Sequence, residues 1–262
     1  ERSSARETTM RVAVGAVCRQ LLAAVGVTVA SHVTEIGGVG VDPAAIRAED
    51  IGVTNSSDLN CCDPSAEERI KARIDEAKAA GDTLGGVFEI VVRGLPIGLG
   101  SHTQWDRRLD GKLAGALMSI QAIKGVEIGA GFACAHLPGS AIHDEIYMGE
   151  DGQPYRRTNR AGGLEGGMTN GEPLVVRAAM KPIPTLMAPL KTVDLATGKE
   201  VSASKERSDV CAVPAASVVG EAMVSYVLAD ALCSQFHADS MTDLRASLAA
   251  YRARLEQRWG TP

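Results

Sequence analysis

The stretch NRAGGLEGGMTNG occupies residues 159–171 and places five glycines in the ten residues from Gly162 to Gly171. Two further segments follow it, KPIPT at residues 181–185 and RSD at residues 207–209. Because glycine lacks a Cβ, its backbone reaches positive φ and lets a ligand come close to main-chain N–H groups. Glycine-rich backbone followed by a lysine, a hydroxyl and an arginine is typical of a site for a phosphate-bearing ligand. Tight turns between strands would explain the glycines alone, but the three segments in this order are more specific.

Composition bounds the kind of protein. The chain has 262 residues, of which 45% are apolar and only 3% aromatic, so its core must be built from aliphatic side chains. The net charge of −5 argues against a nucleic-acid partner, which usually needs a basic face, but not against a phosphorylated substrate. No apolar run approaches the ~20 residues that span a bilayer, so we expect no membrane partner. The six cysteines form no CxxC pair, which favours free thiols in a reducing cytosol.

Periodicity and capping signals predict interspersed helices and strands. Ser4 and Glu7 form a capping box, Asp63 precedes a proline at the start of a second helix, and Gly81 ends that helix. We predict helices at about 4–24, 65–80, 106–123, 216–234 and 241–259, strands at 27–36, 87–92, 125–135 and 173–180, a hairpin within 189–200, and loops at 41–60 and 142–160. With no repeat or linker, residues 1–262 are predicted to form a single domain. The pattern allows α+β or α/β, and the strand that follows the glycines disfavours a generic strand–GxGxxG–helix nucleotide domain.

With SSARET at residues 3–8 and RSDVCAVPA at residues 207–215, these segments resemble the signatures of the chorismate synthase family. The resemblance covers essentially the whole chain. Family members carry roughly another half of this length before the SSARET motif, including two histidine-containing motifs. We therefore expect this chain to be a C-terminal fragment of the family protein. The resemblance implies an α+β fold, a β-α-β sandwich with central helices between antiparallel sheets, assembled as a homotetramer that is a dimer of dimers.

The resemblance also implies a reaction. It is the 1,4-elimination of phosphate from 5-enolpyruvylshikimate 3-phosphate to give chorismate, a carbon–oxygen lyase step of the shikimate pathway of aromatic amino-acid biosynthesis. Reduced FMN is the implied cofactor, and the implied location is the cytoplasm. Whether NADPH reduces the flavin on the enzyme is left open. The alternative is a catalytically silent assembly or flavin-binding fragment, because the family's histidines would lie upstream of Glu1.

Motif positions carried over from the family give the expected site. Asp209 and Arg207 are the candidates for chemistry, and Ser4, Arg6 and Arg207 for substrate binding. The expected flavin contacts are Ser3, Ser4, Ala5, Gln121, Ala122, Gly166, Lys181, Pro182, Ile183, Pro184, Thr185 and Arg207. No metal is expected, because consecutive residues such as His143, Asp144 and Glu145 do not converge on one ion.

From the residues alone, each segment has a plainer explanation. The SSAR start can be a simple N-cap, KPIPT a rigid loop, and the Arg207–Asp209 pair a surface ion pair worth little. Asn159 and Arg160 can simply hold the glycine loop together. His32 lies on a predicted strand and is expected to be structural.

Overall fold

The computed structural model describes residues 5–42, 46, 51, 57–150, 152–205 and 207–259. Its helices are α1 (Thr8–Ala24), α2 (Pro64–Ala80), α3 (Leu109–Met118), α4 (Gly139–Ile142), α5 (Val213–Phe236) and α6 (Met241–Trp259). Its strands are β1 (Thr28–Ile36), β2 (Val39–Gly40), β3 (Gly86–Arg93), β4 (Ile123–Ile128), β5 (Ile146–Met148), β6 (Pro154–Arg156), β7 (Leu164–Glu165), β8 (Met168–Thr169), β9 (Leu174–Met180), β10 (Lys191–Val193) and β11 (Glu200–Ser202). The α+β class is therefore confirmed.

One five-stranded sheet organises the fold. Its strand order is β2-β1-β3-β9-β4, and every neighbouring pair is antiparallel. Side chains alternate between the faces, as strand geometry requires. Phe88, Ile90 and Val176 are fully buried on the face that meets the helices. The opposite face carries polar side chains, and three short hairpins (β5–β6, β7–β8 and β10–β11) extend from this framework.

Helix α5 lies at the centre of the helical layer. It packs on β1 and β3, and α1 and α3 flank it. Its length and apolar composition would suffice to cross a membrane, but 61% of its most apolar window is buried inside this protein, as expected for a core helix. Gly15 of α1 and Gly220 of α5 permit close contact, because a Cβ at Gly15 would lie 2.3 Å from Ala222 Cβ and one at Gly220 2.5 Å from the Phe88 ring.

A second, exposed apolar surface lies on the helices. Met10 and Val17 of α1 are each 67% exposed, and Val14, Val218 and Tyr226 are about half exposed. Apolar residues on two sides of a helical layer are typical of a layer that packs between two others. The described residues supply the helical layer and one large sheet of such a sandwich.

Local capping signals are placed correctly by the sequence. The Asp63 carboxylate accepts hydrogen bonds from the N–H groups of Ser65 (2.9 Å) and Ala66 (3.2 Å), and Gly81 ends α2 in the left-handed region with φ +70°. The predicted capping box stays a prediction, because Ser4 lies outside the described residues. The Glu7 carboxylate accepts hydrogen bonds from Arg11 and Gln121.

Three predicted elements are wrong in extent. The helix predicted at 106–123 is confined to α3, because Arg108 is extended and Ala122 has φ +66°. The strand predicted at 125–135 ends at Ile128, because Gly129 takes φ +59° and a 3-10 helix follows from Gly131. The loop predicted at 142–160 contains the β5–β6 hairpin.

Candidate functional site

The KPIPT segment begins where β9 ends, beside the turn that follows α3. The N–H of Lys181 donates to the carbonyl of Ala122 at 2.9 Å. The Gln121 side-chain amide donates to Glu7 at 2.6 Å, and Glu7 belongs to the 3-10 turn Ala5–Glu7 that leads into α1. The structure therefore brings Ala5, Arg6, Gln121, Ala122 and Lys181, five residues expected at the site, to one end of the sheet.

The other side of KPIPT is fixed by the α2–β3 connection. The Thr83 hydroxyl donates to the Ile183 carbonyl at 2.6 Å, and the Ser208 hydroxyl donates to the Thr185 carbonyl at 2.8 Å. The Leu84 N–H donates to Val210 at 2.8 Å, which seats the RSD segment beside the same connection. The KPIPT and RSD segments are therefore neighbours, although more than twenty residues separate them in sequence.

A cavity of about 540 Å³ opens between the end of α2 and the RSD segment. Lys78, Lys205 and Arg207 line it with cationic groups, against the carboxylates of Asp82 and Asp209. Among the described lining residues the cations outnumber the carboxylates, which suits a phosphate, since Lys and Arg are the usual phosphate partners. Sequence reasoning missed Lys78 because the charges of α2 indicate a solvated face. The turn at Gly81 brings this lysine to the same cavity as Arg207, and no local pattern signals that proximity.

The predicted cationic and acidic groups are open to solvent within one chain. Arg6, Lys181, Arg207 and Asp209 are all exposed. Ser3 and Ser4 of the same expected site lie outside the described residues. Exclusion of water from these groups would have to come from additional protein surface.

The five glycines of the NRAGGLEGGMTNG stretch have different surroundings. A Cβ at Gly162 would lie 2.3 Å from the Gly129 nitrogen, and one at Gly163 would lie 2.6 Å from the Pro173 carbonyl oxygen. Gly162 and Gly163 are therefore needed for close contact between backbone segments of this protein, and they leave no space for a ligand. Gly166 lies at the tip of the β7–β8 turn with φ +61°, and no other atom of the described residues lies within 4 Å of its Cβ position. Gly166 is therefore the one of the five that leaves room for a ligand.

Gly166 does not join the KPIPT group within one chain. The next residue, Gly167, accepts a hydrogen bond from Leu109, the first residue of α3. Gln121 lies beyond the other end of α3, and a ten-residue helix is about 15 Å long. Within one chain, a flavin contact by Gly166 would therefore fall in a different place from a flavin contact by Lys181.

The plainer explanation of Asn159 is confirmed, because this residue holds the glycine loop together. Its side-chain NH₂ group donates to the Pro173 carbonyl at 2.7 Å, and its side-chain oxygen accepts from the Gly163 N–H at 2.9 Å. Asp144 anchors the loop from the other side.

The Asp144 carboxylate accepts hydrogen bonds from the N–H groups of Arg160 (2.9 Å) and Ala161 (2.8 Å) and from the Thr158 hydroxyl. Burial alone would raise the pKa of Asp144. The hydrogen bonds from Thr158, Ala161 and Arg160 outweigh burial and hold that pKa below its ordinary value.

Comparison with known proteins agrees with the signatures. The sequence model of the chorismate synthase family matches residues 1–233. Chorismate synthase of Brevibacillus brevis is 55% identical over 258 residues, which is 98% of this chain and 67% of that protein. Chorismate synthase of Trichlorobacter lovleyi is 57% identical, over 97% of this chain and 67% of that protein. The chain thus spans about two thirds of the length of the relatives it matches.

A solved crystal structure of chorismate synthase has the same fold. It superimposes with a TM-score of 0.83 at 44% sequence identity, covering 97% of this chain and 71% of that one. The fold class is that of a chorismate synthase, with helices layered on antiparallel sheet. The chain belongs to the chorismate synthase family.

Proposed function

We propose that this chain supplies the flavin- and phosphate-binding part of an enzyme that converts 5-enolpyruvylshikimate 3-phosphate to chorismate and phosphate. The observation that carries the proposal is the junction of KPIPT with RSD beside a cavity lined by Lys78, Lys205 and Arg207. A dianionic phosphate with a carboxylate-bearing substrate needs several cations around it. The family relationship suggests which reaction is catalysed. The cations that line this cavity are the reason for proposing it as the site of that reaction.

Reduced FMN is the cofactor we propose for this site. The donor set fits its phosphate, because Lys181 and Arg207 are cations on rigid, hydrogen-bonded segments and Thr185 adds a hydroxyl. Ala5, Gln121 and Ala122 would border the same ligand, and Gly166 would contact a flavin through its main chain, from a neighbouring subunit. When bound, reduced flavin supplies electron density that assists departure of the phosphate and recovers it as the ring hydrogen leaves.

The protein groups would divide the remaining work. Arg207 would neutralise the departing phosphate through its planar guanidinium, and Arg6 would hold a substrate carboxylate or phosphate. Asp209 would hold or move a proton beside the reacting centre, which requires an enclosed site. We propose that a homotetramer in the cytoplasm provides that enclosure.

A second candidate is the silent assembly fragment. The exposure of Arg6, Lys181, Arg207 and Asp209 favours it, since a site this open to water cannot neutralise phosphate effectively. In that case the 262-residue chain binds flavin weakly or not at all and turns over far below a full-length relative.

The test is release of inorganic phosphate from 5-enolpyruvylshikimate 3-phosphate under anaerobic conditions with chemically reduced FMN. The 262-residue chain is compared with a full-length family enzyme and with its own Asp209→Asn variant. Turnover that Asp209→Asn reduces supports the enzyme. Absence of turnover with weak flavin binding supports the silent fragment. Absence of both binding and turnover would contradict the first proposal for this chain and leave an assembly fragment.

A further inference from the structure

A cysteine, a histidine and a glutamate are aligned on the sheet face that points away from the helices. The Sγ atom of Cys62 lies 3.1 Å from Nδ1 of His32. Nε2 of the same imidazole lies 3.3 Å from Oε1 of Glu89. The His32 side chain is only 1% exposed, whereas Cys62 is partly exposed. Both ring nitrogens of a buried histidine therefore have partners of different chemistry.

The fold fixes this alignment. His32 of β1 and Glu89 of β3 are direct cross-strand partners. The segment before α2 runs beside β1, where the Val33 N–H donates to the Asn60 carbonyl at 2.8 Å, and this contact brings Cys62 to the imidazole. Because the three residues come from separate parts of the chain, no sequence motif signals them.

The alignment follows the order of nucleophile, base and orienting acid. Glu89 accepts a hydrogen bond from Nε2–H, which leaves the Nδ1 lone pair facing the thiol of Cys62. A thiol beside such a base can pass its proton to the ring and become a thiolate, the reactive form of cysteine. We propose that Cys62 is a nucleophilic thiol activated by His32, with Glu89 as the positioning residue, and is a modification site for small uncharged electrophiles and peroxides.

The surroundings favour uncharged reagents. A cavity of about 410 Å³ adjoins the histidine, and its described lining includes the carboxylates of Glu35, Glu89 and Glu127 and the guanidinium of Arg177. Arg177 is committed to Glu127 at 3.3 Å and to the Gly129 carbonyl at 2.8 Å. The carboxylates outnumber the guanidinium among the described lining residues, and this negative surplus repels anions near the thiol.

Charged groups on the α2 side are engaged elsewhere. The Asp63 carboxylate caps α2, and Glu67 pairs with Lys71 at 3.0 Å.

The neighbouring thiol, that of Cys61, has different surroundings from that of Cys62. Cys61 is buried and its thiol donates to the Asp63 carbonyl at 3.5 Å, and burial raises the pKa of Cys61, which makes it the unreactive member of the vicinal pair.

The reaction with hydrogen peroxide balances within this site. The Cys62 thiolate attacks one peroxide oxygen, the S–O bond forms as the O–O bond breaks, and hydroxide departs. That hydroxide takes the proton held by His32 and leaves as water. The sulfur is oxidised to sulfenic acid and the peroxide is reduced to water.

The experiment is competitive alkylation of the native chain with iodoacetamide, read by mass spectrometry of its peptides, with fragmentation spectra to separate Cys61 from Cys62. The exposed Cys134 and Cys233 are internal controls. Near pH 6 we expect Cys62 to react about tenfold faster than Cys134, although it is less exposed. With iodoacetate, which is an anion, the rate advantage of Cys62 over Cys134 should disappear.

Variants separate activation from simple exposure. His32→Asn should bring the rate at Cys62 near pH 6 down by about tenfold and restore an ordinary thiol pH profile, and Glu89→Gln should give a smaller loss. Circular dichroism checks folding. If His32→Asn unfolds, the proposal is tested with Glu89→Gln instead, because Glu89 is partly exposed and its replacement disturbs the core less. The proposal is overturned if Cys62 reacts no faster than Cys134 near pH 6, or if its pH profile is unchanged in the folded variants.

Discussion

Replacing Gly15 with alanine tests the contact between α1 and α5. The added Cβ would lie 2.3 Å from the Cβ and 2.5 Å from the Cα of Ala222. Carbon atoms pack best at about 3.5–4.0 Å, so the two helices would have to separate by roughly 1 Å. The obstructing atoms include backbone, so no side-chain rotation relieves the clash.

Two opposing terms set the magnitude. Overpacking a core costs about 1–3 kcal/mol, and the rigid contact puts Gly15→Ala near the upper value. Alanine gains about 1 kcal/mol over glycine in helix propensity. The net expectation is a loss of about 2 kcal/mol in the free energy of unfolding.

Urea unfolding followed by circular dichroism measures this loss. Gly115 in α3 is the matched control, because it is an exposed helical glycine whose Cβ position has no contact within 4 Å from the part of the chain that the structure describes. Gly115→Ala should stabilise by up to about 1 kcal/mol. Adding Ala222→Gly to Gly15→Ala should recover part of the loss. A Gly15→Ala protein as stable as its Gly115→Ala counterpart would refute the close helix contact.

Three further predictions concern carboxylates. Asp63→Ala removes the N-cap of α2 and should cost about 1 kcal/mol in urea unfolding, and an unchanged midpoint would contradict the cap. Asp144 has a folded pKa below its unfolded value, so its stabilisation is complete above about pH 5 and is lost as pH falls through the folded pKa. Asp144→Ala should therefore flatten the fall in melting temperature in acid, and an equally steep fall would count against this role. For Glu221, burial raises the pKa despite the Arg19 cation, so its contribution has the opposite sign, and stability rises as pH falls through the folded pKa toward the unfolded value. Glu221→Gln should therefore reduce the rise in stability on acidification. Melting temperatures measured between about pH 4 and 7 would detect this change.

The sequence predicts what local chemistry determines. Asp63 and Gly81 bound α2 correctly because a cap and a left-handed glycine act within a few residues. Ala122 shows the limit, since an alanine at φ +66° carries no local signal and its turn is held by the long-range bond to Lys181.

The same limit applies to the candidate site. The signatures identify Lys181 and Arg207, and the structure adds Lys78, which a turn brings to the same cavity. It also separates Gly166 from that group, because α3 lies between them. The Cys62–His32 contact has no counterpart in the sequence pattern, since only the β1–β3 pairing and the loop beside β1 create it.

The most direct test of the central claim, that the joined KPIPT and RSD segments bind flavin and phosphate, is a fluorescence titration of the chain with FMN. It is done with and without 5-enolpyruvylshikimate 3-phosphate, for the unchanged chain, Lys181→Ala, Arg207→Ala and the control Lys199→Ala on the exposed β10–β11 turn. We expect binding that tightens with substrate, weakens about tenfold or more in Lys181→Ala and in Arg207→Ala, and is unchanged in Lys199→Ala. Binding equally tight in all four proteins would contradict the claim.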